Sequence, residues 1–390
     1  MTPLRRCTRC TIPETHETIT FDGEGVCNVC RQHETKRDAI DWEARRREFA
    51  ALIEAHRGRR SYDCIVPFSG GKDSTFTLYH LVSEYRVKPL VVQFDHGFLR
   101  PNLRANNERT LKKLGVDVLS FRPNWHVVRK LMLESLRRKG DFCWHCHAGI
   151  FAYPMQIAVK FQVPLLVWGE PSAEYTSYYG YEDDEEVDEA RFNRFVNLGI
   201  SADDMLGMID GVEPRDLDPF RYPPLAELRR LNVRSICLGS YVPWDTRNQY
   251  EIIRRELGWQ GDDVEGVAPR YRHDKIECFM QGVRDYLKYV KRGYGRTAHL
   301  TSLDIRNGRL TREEAIALLN HDGKRPASLD LFLEFVGIDE AEFLDIALSH
   351  AVSPWQFDTD VVERGEPLHD MEQWNQRVEL GVAPGLRRSA

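Results

Sequence analysis

The sequence predicts an α/β protein in which a doubly wound, five-stranded parallel sheet follows a small cysteine-rich unit and precedes a mainly helical region. Between residues 61 and 245, short apolar runs of strand length alternate with amphipathic stretches, which is typical of a parallel sheet covered on both faces. Cysteine pairs occupy the first 35 residues, and strand-like runs become rare after residue 245. A chain of 390 residues is also too long for one simple core, so several folding units are expected.

The first unit, residues 1–35, contains two CxxC pairs and little hydrophobic mass. Such a segment cannot bury a core of its own and needs a cross-link or a metal to fold. Sixteen residues separate the pairs, which is typical of a zinc ribbon, and four thiolates would close a tetrahedral structural site. The expected Zn²⁺ ligands are Cys7, Cys10, Cys27 and Cys30.

A linker helix is expected within residues 36–60, where apolar residues such as Trp42 and Phe49 recur at helical spacing before Gly58. The α/β domain follows at residues 61–245. Its expected strands are residues 64–68, 89–94, 116–121, 164–168 and 236–238, and helical patterns fall at residues 76–82, 111–114, 127–136 and 150–161.

The last expected unit, residues 246–390, is mainly helical. Thr311 with Glu314, and Asp339 with Glu342, have the spacing of capping boxes, and each pair precedes an apolar helical stretch.

The amino-acid composition disfavours some classes of binding partner. The formal net charge is -6, whereas a protein that wraps nucleic acid usually has a basic balance, so nucleic acid is disfavoured. No apolar run approaches the roughly 18 residues of a membrane helix, and residues 1–10 lack the apolar core of a signal peptide. We expect a cytoplasmic protein with no membrane partner, in which paired cysteines are metal ligands before they are disulfides.

The most informative motif follows the first expected strand and opens a helical pattern. Adjacent glycines in such a turn let backbone N–H groups approach an anion, and the helix dipole adds about half a positive charge. Hydroxyls can donate hydrogen bonds, the lysine can neutralise charge, and the aspartate can hold Mg²⁺ or cap the helix. We expect a phosphate loop, different from a Walker A loop, made of Ser69, Gly70, Gly71, Lys72, Asp73 and Ser74.

This loop resembles the SGGxDS signature of the PP-loop pyrophosphatase superfamily, whose fold is HUP-like. The resemblance implies an enzyme that splits ATP between the α and β phosphates and transfers AMP to an oxygen atom. It also implies that Phe94 and Asp95 seat adenine and ribose, and that Gly169 and Glu170 face AMP and Mg²⁺. Ligands of open α/β sheets do bind beyond the carboxyl ends of strands.

The expected catalytic residues are Lys72, Asp73, Glu170 and Glu174. Two of the expected site residues, one for nucleotide binding and one for catalysis, also have an ordinary structural alternative. Asp95 could instead cap a turn, and Glu174 could be a surface carboxylate.

A second cysteine group comprises Cys143, Cys146 and the lone Cys237 in the last expected strand. The order of phosphate loop, CxxC and lone cysteine resembles the tRNA thiolases that hold a [4Fe–4S] cluster with three cysteines. The alternatives are a second zinc site, with His145 or His147 as the fourth ligand, and buried thiols without a metal. The remaining cysteines, Cys64 and Cys278, are expected in the core.

Longer motifs narrow the resemblance further. Together with the ribbon and the loop, residues 142–147, 168–175, 238–245, 275–278 and 293–294 resemble the N-acetyl sugar amidotransferase family of bacterial surface-polysaccharide synthesis, including lipopolysaccharide and O-antigen. The resemblance implies an AMP-forming ligase that converts an acetamido group on a nucleotide-linked sugar into an acetamidino group. The amide oxygen is adenylylated by ATP, ammonia adds to the imidate carbon, and AMP leaves.

The resemblance also implies partners, namely separate glutaminase and cyclase-like subunits that supply ammonia. Two other functions stay open from the sequence. A tRNA thiolase would share the loop and the cysteines but would need a basic RNA surface, and a non-catalytic scaffold would bind only nucleotide and zinc.

Overall fold

The structure, a computed structural model, describes residues 4–174, residue 192 and residues 199–372. Its centre is a five-stranded sheet of parallel strands in the order β3-β2-β1-β4-β5. Each of the five predicted apolar runs overlaps one strand, so the predicted fold class is confirmed. The strands are β1 (Cys64–Pro67), β2 (Pro89–Phe94), β3 (Asp117–Phe121), β4 (Leu165–Trp168) and β5 (Arg234–Cys237).

Helices cover both faces of this sheet and form the region that follows it. Among the described residues, no helix is long and apolar enough to cross a lipid bilayer. The helices are α1 (Asn28–Asp38), α2 (Trp42–His56), α3 (Lys72–Ser83), α4 (Pro101–Leu114), α5 (Trp125–Lys139), α6 (Trp144–Phe161), α7 (Ala202–Leu206), α8 (Leu225–Leu231), α9 (Thr246–Leu257), α10 (Gln281–Arg292), α11 (Arg296–Arg306), α12 (Arg312–Leu318), α13 (Ser328–Val336) and α14 (Glu340–Ser349).

The two faces of the sheet bury different clusters because successive strand residues point in opposite directions. Cys64 and Val66 of β1 pack in one cluster with side chains of α2, α3 and α9. Ile65 packs on the opposite face with side chains of α6 and α8. A sheet that is buried on both faces explains why its strands are continuous apolar runs in the sequence.

Two helices lie across the expected domain boundaries. Helix α1 runs from Asn28 to Asp38, so the boundary expected at residue 35 falls inside it. Helix α9, which the sequence assigns to the last unit, packs on α3 and shares the core of the sheet. The division of the chain into domains stays a prediction.

The C-terminal helices have their own core. Helices α10, α13 and α14 pack against α5 through a cluster of aromatic and aliphatic side chains. The predicted capping box at α12 is formed, because Thr311 and Glu314 bond each other's backbone N–H groups. At α14 only half of the predicted box is present, with Asp339 accepting from the backbone N–H of Glu342 at 2.8 Å.

His273 leads to a prediction about stability and pH. It is buried and stacks on Tyr250 with ring centroids 4.9 Å apart. Burial and the positive charge of Lys72 lower the pKa of His273 to about 4, although the negative charge of Asp274 acts in the opposite direction. The pKa of a histidine in the unfolded chain is about 6.5, so on acidification the unfolded state binds a proton before the folded state does. The folded state therefore loses stability as the pH falls from about 6.5 toward the lower folded-state pKa.

We expect His273→Phe to reduce the loss of unfolding free energy between pH 7.5 and pH 5.5 by about 1 kcal/mol. Urea unfolding of wild type and variant at the two pH values measures this loss. His126→Phe changes an exposed histidine and should leave the pH dependence as in wild type. An equal pH dependence in all three proteins would show that His273 titrates normally in the fold.

Candidate active site

A pocket lies where the strand order of the sheet reverses. The chain proceeds outward from β1 through β2 to β3, and then returns to the other side of β1 with β4 and β5. At such a switch point the neighbouring crossovers lie on opposite faces, which leaves a crevice beyond the carboxyl ends of the strands. The pocket is lined there by Pro67, Phe68, Ser69, Asp73, Ser74, Val92, Phe94, Ile150, Phe151, Trp168, Gly169, Glu170, Cys237, Lys275 and Glu277.

The phosphate loop forms one wall of this pocket. Gly70 has a φ of +88°, and a Cβ atom there would lie 1.8 Å from the side-chain oxygen of Asn107, so only glycine fits. The Gly70 N–H donates to the Ser74 hydroxyl at 3.1 Å, and the Gly70 carbonyl accepts from the indole of Trp259 at 3.0 Å. These contacts hold the turn in one conformation before any ligand binds.

The start of α3 is suited to an anion. Gly71 is the N-cap residue and provides no side-chain hydrogen bond to the first turn. Backbone N–H groups that a capping side chain would otherwise satisfy are therefore left for a ligand, and the helix dipole favours a negative one.

Lys72 lies behind the pocket wall. Its ammonium is buried and bonds the Asp73 carboxylate at 2.8 Å and the Asp274 carboxylate at 2.9 Å. Burial alone would lower the pKa of Lys72, but the charges of Asp274 and Asp73 outweigh it and raise that pKa well above its ordinary value. The lysine is therefore a permanent cation held directly under the loop.

Two pocket residues come from the motif at residues 275–278, for which the sequence suggested a family resemblance but no place in the site. Lys275 and Glu277 lie between α9 and α10 and line the pocket together with residues from the strand ends. A Cβ atom on Gly71 would lie 1.8 Å from a Glu277 carboxylate oxygen, so this carboxylate rests against the phosphate loop. The family resemblance of residues 275–278 was the signal in the sequence, but a motif outside the predicted sheet does not show by itself that its charged side chains reach the pocket.

The pocket wall is rich in carboxylates. Asp73, Glu170 and Glu277 all line it, and the Oδ1 atom of Asp73 is buried without a hydrogen-bond partner among the described residues. Burial and the neighbouring Asp73 charge raise the pKa of Glu170 to about 8. Mg²⁺ is usually held by one or two carboxylates together with substrate phosphates, so Asp73 and Glu170 fit a metal that arrives with a nucleotide.

An aromatic wall adjoins the carboxylates. Phe151 stacks on Trp168 with ring centroids 4.7 Å apart and an interplanar angle of 19°. Phe94 also lines the pocket, as the sequence suggested, but Asp95 does not. Asp95 accepts from the Gly97 N–H at 2.9 Å, which is the contact of the turn-capping alternative, and its role in ligand binding stays a prediction.

Glu174 is neither a surface carboxylate nor a pocket residue. It is buried and forms an ion pair with Lys36 of α1, whose ammonium also donates to the Trp244 carbonyl at 2.5 Å. The predicted catalytic set is thus divided: Asp73 and Glu170 line the pocket, whereas Lys72 and Glu174 are held in buried ion pairs. Tyr175, the last residue of its motif, lies outside the described residues.

The four N-terminal cysteines fit a single metal ion. Their sulfur atoms all lie within 4.8 Å of one another, and Cys10 Sγ is 3.8 Å from Cys27 Sγ. Backbone N–H groups donate to two of the sulfurs, for example from Cys27 to Cys7 at 3.2 Å. Such donors favour thiolates, and four thiolates form a closed structural site for Zn²⁺.

The second cysteine group differs from its prediction. Cys237 lies in the pocket wall at the end of β5, whereas Cys143 and Cys146 lie at the start of α6. The three sulfurs are not among the ligand sets that the described residues bring within 4.8 Å. Cys64 is fully buried as expected, but Cys278 keeps part of its surface and is no ordinary core residue.

Part of the chain is similar to a known protein family. Residues 265–369 match the family model described as LPS biosynthesis protein WbpG-like, C-terminal domain. The match covers 105 of the 390 residues, and this segment, which is similar to that family, is called the WbpG-like domain here. The WbpG-like domain therefore contributes Lys275 and Glu277 to the pocket and Asp274 to the ion pair beneath the loop.

Other similarities are more distant. An uncharacterised protein of Methanocaldococcus jannaschii is 23% identical over 143 residues, which is 36% of this chain and 50% of that protein, so the chain spans about half of this curated relative. The structure of NMN synthetase from Francisella tularensis is 10% identical, with a TM-score of 0.38 over 72% of this chain and 92% of that one. The U34-tRNA thiolase NcsA from Methanococcus maripaludis, with its [4Fe–4S] cluster, is 11% identical, with a TM-score of 0.25 over 92% and 100%. Both TM-scores are low, and the fold assignment rests on the strand order.

For the ribbon, we expect Cys27→Ser to remove about one zinc per chain, because three thiolates hold Zn²⁺ poorly where four close the site. Elemental analysis of the purified protein measures the change. Cys64→Ser, which alters a buried cysteine of the sheet, is the matched control and should keep its zinc. Unchanged zinc in Cys27→Ser would contradict the assignment.

For the ion pair of α1, we expect Glu174→Gln to lower the free energy of unfolding by about 3–5 kcal/mol, because the Lys36 ammonium would remain buried without its counter-charge. Chemical denaturation measures the loss. Glu108→Gln breaks an exposed pair with Lys112 and should change stability by no more than about 1 kcal/mol. Equal small losses in both variants would show that the buried pair contributes little.

Proposed function

We propose that the protein uses ATP to activate the acetamido oxygen of a nucleotide-linked sugar and replaces it with nitrogen from ammonia, in the synthesis of lipopolysaccharide or a related surface glycan. One observation carries the proposal. The WbpG-like domain and the Ser-Gly-Gly-Lys-Asp-Ser loop line the same pocket, at the carboxyl ends of β1 and β4. A nucleotide bound by the loop would therefore face residues of a domain whose family name refers to LPS biosynthesis.

The proposed reaction has two steps, and each step expels a phosphate-containing leaving group. The amide oxygen attacks the α-phosphorus of ATP, the bond to the β-phosphate breaks, and pyrophosphate leaves with its electron pair. Ammonia then adds to the imidate carbon, and the carbon–oxygen bond breaks so that AMP leaves with the former amide oxygen. The product amidine keeps a proton near neutral pH. Catalysis of this kind depends mainly on positioning and on neutralising phosphate charge.

The chain supplies these functions from separate elements. The first-turn N–H groups of α3 and the hydroxyls of Ser69 and Ser74 would bind phosphate oxygens. Lys72 acts as a positioning cation beneath the loop, since its ammonium already bonds Asp73 and Asp274. Asp73 and Glu170 would hold Mg²⁺, which neutralises phosphate charge when bound. The Phe151–Trp168 stack offers an apolar wall for a base.

The source of ammonia and the cellular setting complete the proposal. Separate glutaminase and cyclase-like subunits would deliver ammonia, and the sugar nucleotide and ATP would be cytoplasmic. With 60 acidic and 54 basic residues, the chain has no overall charge that favours RNA.

Turnover tests the proposal. Purified protein, ATP, Mg²⁺ and ammonium are incubated with UDP- or CMP-linked acetamido sugars, and the products are read by mass spectrometry. We expect AMP, pyrophosphate and a sugar nucleotide about one mass unit lighter, because NH replaces O. Release of ADP and phosphate would exclude adenylylation. A parallel incubation with tRNA and sulfide tests the thiolase function, and thiolated tRNA without sugar turnover would overturn the proposal.

The proposed phosphate site also predicts how substitutions in the loop change the activity. We expect Asp73→Asn and Ser74→Ala each to lower kcat/KM about a hundredfold, since one lost contact to a developing phosphate charge costs about 3 kcal/mol. Ser83→Ala changes an exposed serine at the other end of α3 and should retain full activity. Thermal melting of all variants separates lost activity from lost folding. Full activity in both loop variants would contradict the assigned phosphate site.

A further inference from the structure

Lys275 is the only cation among the described residues that line the pocket. Three carboxylates line it too, those of Asp73, Glu170 and Glu277. These carboxylates repel a phosphate group unless positive charge lies beside them. Lys72 does not line the pocket, because its ammonium is buried beneath the loop and held by two carboxylates. A ligand in the pocket therefore meets one positively charged side chain, that of Lys275.

The ammonium of Lys275 is available to a ligand. Among the described residues it forms no hydrogen bond and no ion pair, whereas the Lys72 ammonium bonds two carboxylates within 2.9 Å. Lys275 is also only partly buried. To bind an anion, Lys275 has to give up side-chain freedom and some water, but no ion pair of the folded chain has to break.

The backbone at Lys275 has a conformation that favours glycine. Its φ of +54° lies in the left-handed region, which side chains other than glycine, asparagine and aspartate rarely adopt. Contacts of the preceding residue fix this conformation, since the Asp274 N–H donates to the Tyr271 carbonyl at 2.9 Å and the Asp274 carboxylate bonds Lys72 at 2.9 Å. Such conformations persist where the surrounding structure imposes them, and they cluster at ligand sites. A lysine in this position is therefore costly for the fold, and a function of its side chain accounts for that cost.

The residues that follow Lys275 determine which way the segment faces. Ile276 is 1% exposed and packs in the cluster that covers one face of the sheet. Glu277 lines the pocket, and its carboxylate rests against Gly71, where a Cβ atom would lie 1.8 Å from it. Two residues of chain span no more than about 7 Å, so Lys275 lies close to the anion site at the start of α3. Its flexible four-carbon side chain is suited to place the ammonium against a phosphate group at that site.

We propose that Lys275 binds a phosphate oxygen of the nucleotide and so supplies, from the WbpG-like domain, the positive charge that Lys72 does not bring into the pocket. This rests on the proposed use of ATP, and it adds a phosphate-binding residue that lies outside the phosphate loop. The ligand class is a nucleoside triphosphate with Mg²⁺, since Asp73 and Glu170 fit the metal. An ammonium donates up to three hydrogen bonds, and charge-assisted bonds to phosphate are about twice as strong as neutral ones.

Nucleotide binding tests the proposal without sugar or ammonia. The full chain is titrated in a calorimeter with ATP, with inorganic pyrophosphate and with adenosine, each in the presence of Mg²⁺. We expect Lys275→Gln to weaken the binding of ATP and pyrophosphate by about tenfold or more, because a hydrogen bond from a charged group is lost. The affinity for adenosine should stay unchanged. Lys275→Arg keeps the positive charge and should restore most of the affinity for ATP.

Two further variants control for charge and for folding. Arg272→Gln removes a positive charge from the same segment outside the pocket, where the side chain is 54% exposed and pairs with Asp263 at 2.9 Å. This variant should bind ATP like the wild type. Lys275→Gly removes the ammonium but suits the left-handed backbone. It should melt at or above the temperature of the wild type and lose as much affinity for ATP as Lys275→Gln.

The outcomes separate this proposal from the proposed function. Wild-type affinity for ATP in Lys275→Gln and Lys275→Gly would overturn the role of Lys275 and leave the use of ATP intact. An equal loss for ATP and adenosine would show that Lys275 only supports the fold, and an equal loss in Arg272→Gln would show a general effect of charge; either result overturns the proposal. A wild-type protein that does not bind ATP would overturn the proposed function as well.

Discussion

The buried ion pair between Lys72 and Asp274 determines where the phosphate loop can lie relative to the C-terminal helices. Lys72 is the first residue of α3, and its ammonium meets the carboxylates of Asp73 and Asp274 within 2.9 Å. Removing one partner of such a pair leaves a charge buried without compensation, which typically costs about 3–5 kcal/mol. This ion pair therefore ties the loop to the WbpG-like domain, and residues of both parts line the pocket.

A second buried pair extends this constraint to the N-terminal ribbon. Helix α1 begins directly after Cys27, one of the four clustered cysteines, and carries Lys36, whose ammonium bonds Glu174 shortly after the end of β4. Glu170, four residues earlier, lines the pocket. The ribbon is consequently part of the support for one pocket wall, although it lies outside the pocket itself. The cysteine cluster is thereby linked to a pocket wall that it does not itself line.

The sequence predicted features that depend on local pattern. Strand runs, the glycine turn at Gly70 and the CxxC spacing of the ribbon are encoded within a few residues of one another, and the structure has all three. The ion pairs could not be predicted, because Lys72 and Asp274 are 202 residues apart and a buried charge looks the same in sequence as an exposed one. The roles of Asp95 and Glu174 depended on such partners, which explains why the sequence left both open.

The cysteines show the same distinction between local and distant information. Strand topology alone places Cys237 at the ligand edge of the sheet, and the structure agrees, because Cys237 lines the pocket. Topology says nothing, however, about the irregular segment between α9 and α10, which enters the site from the side. That segment brings Asp274 beneath the loop and Glu277 into the pocket within four residues. Charge neutralisation and the pocket wall thus depend on one stretch of chain, so a shift of this stretch would alter both together.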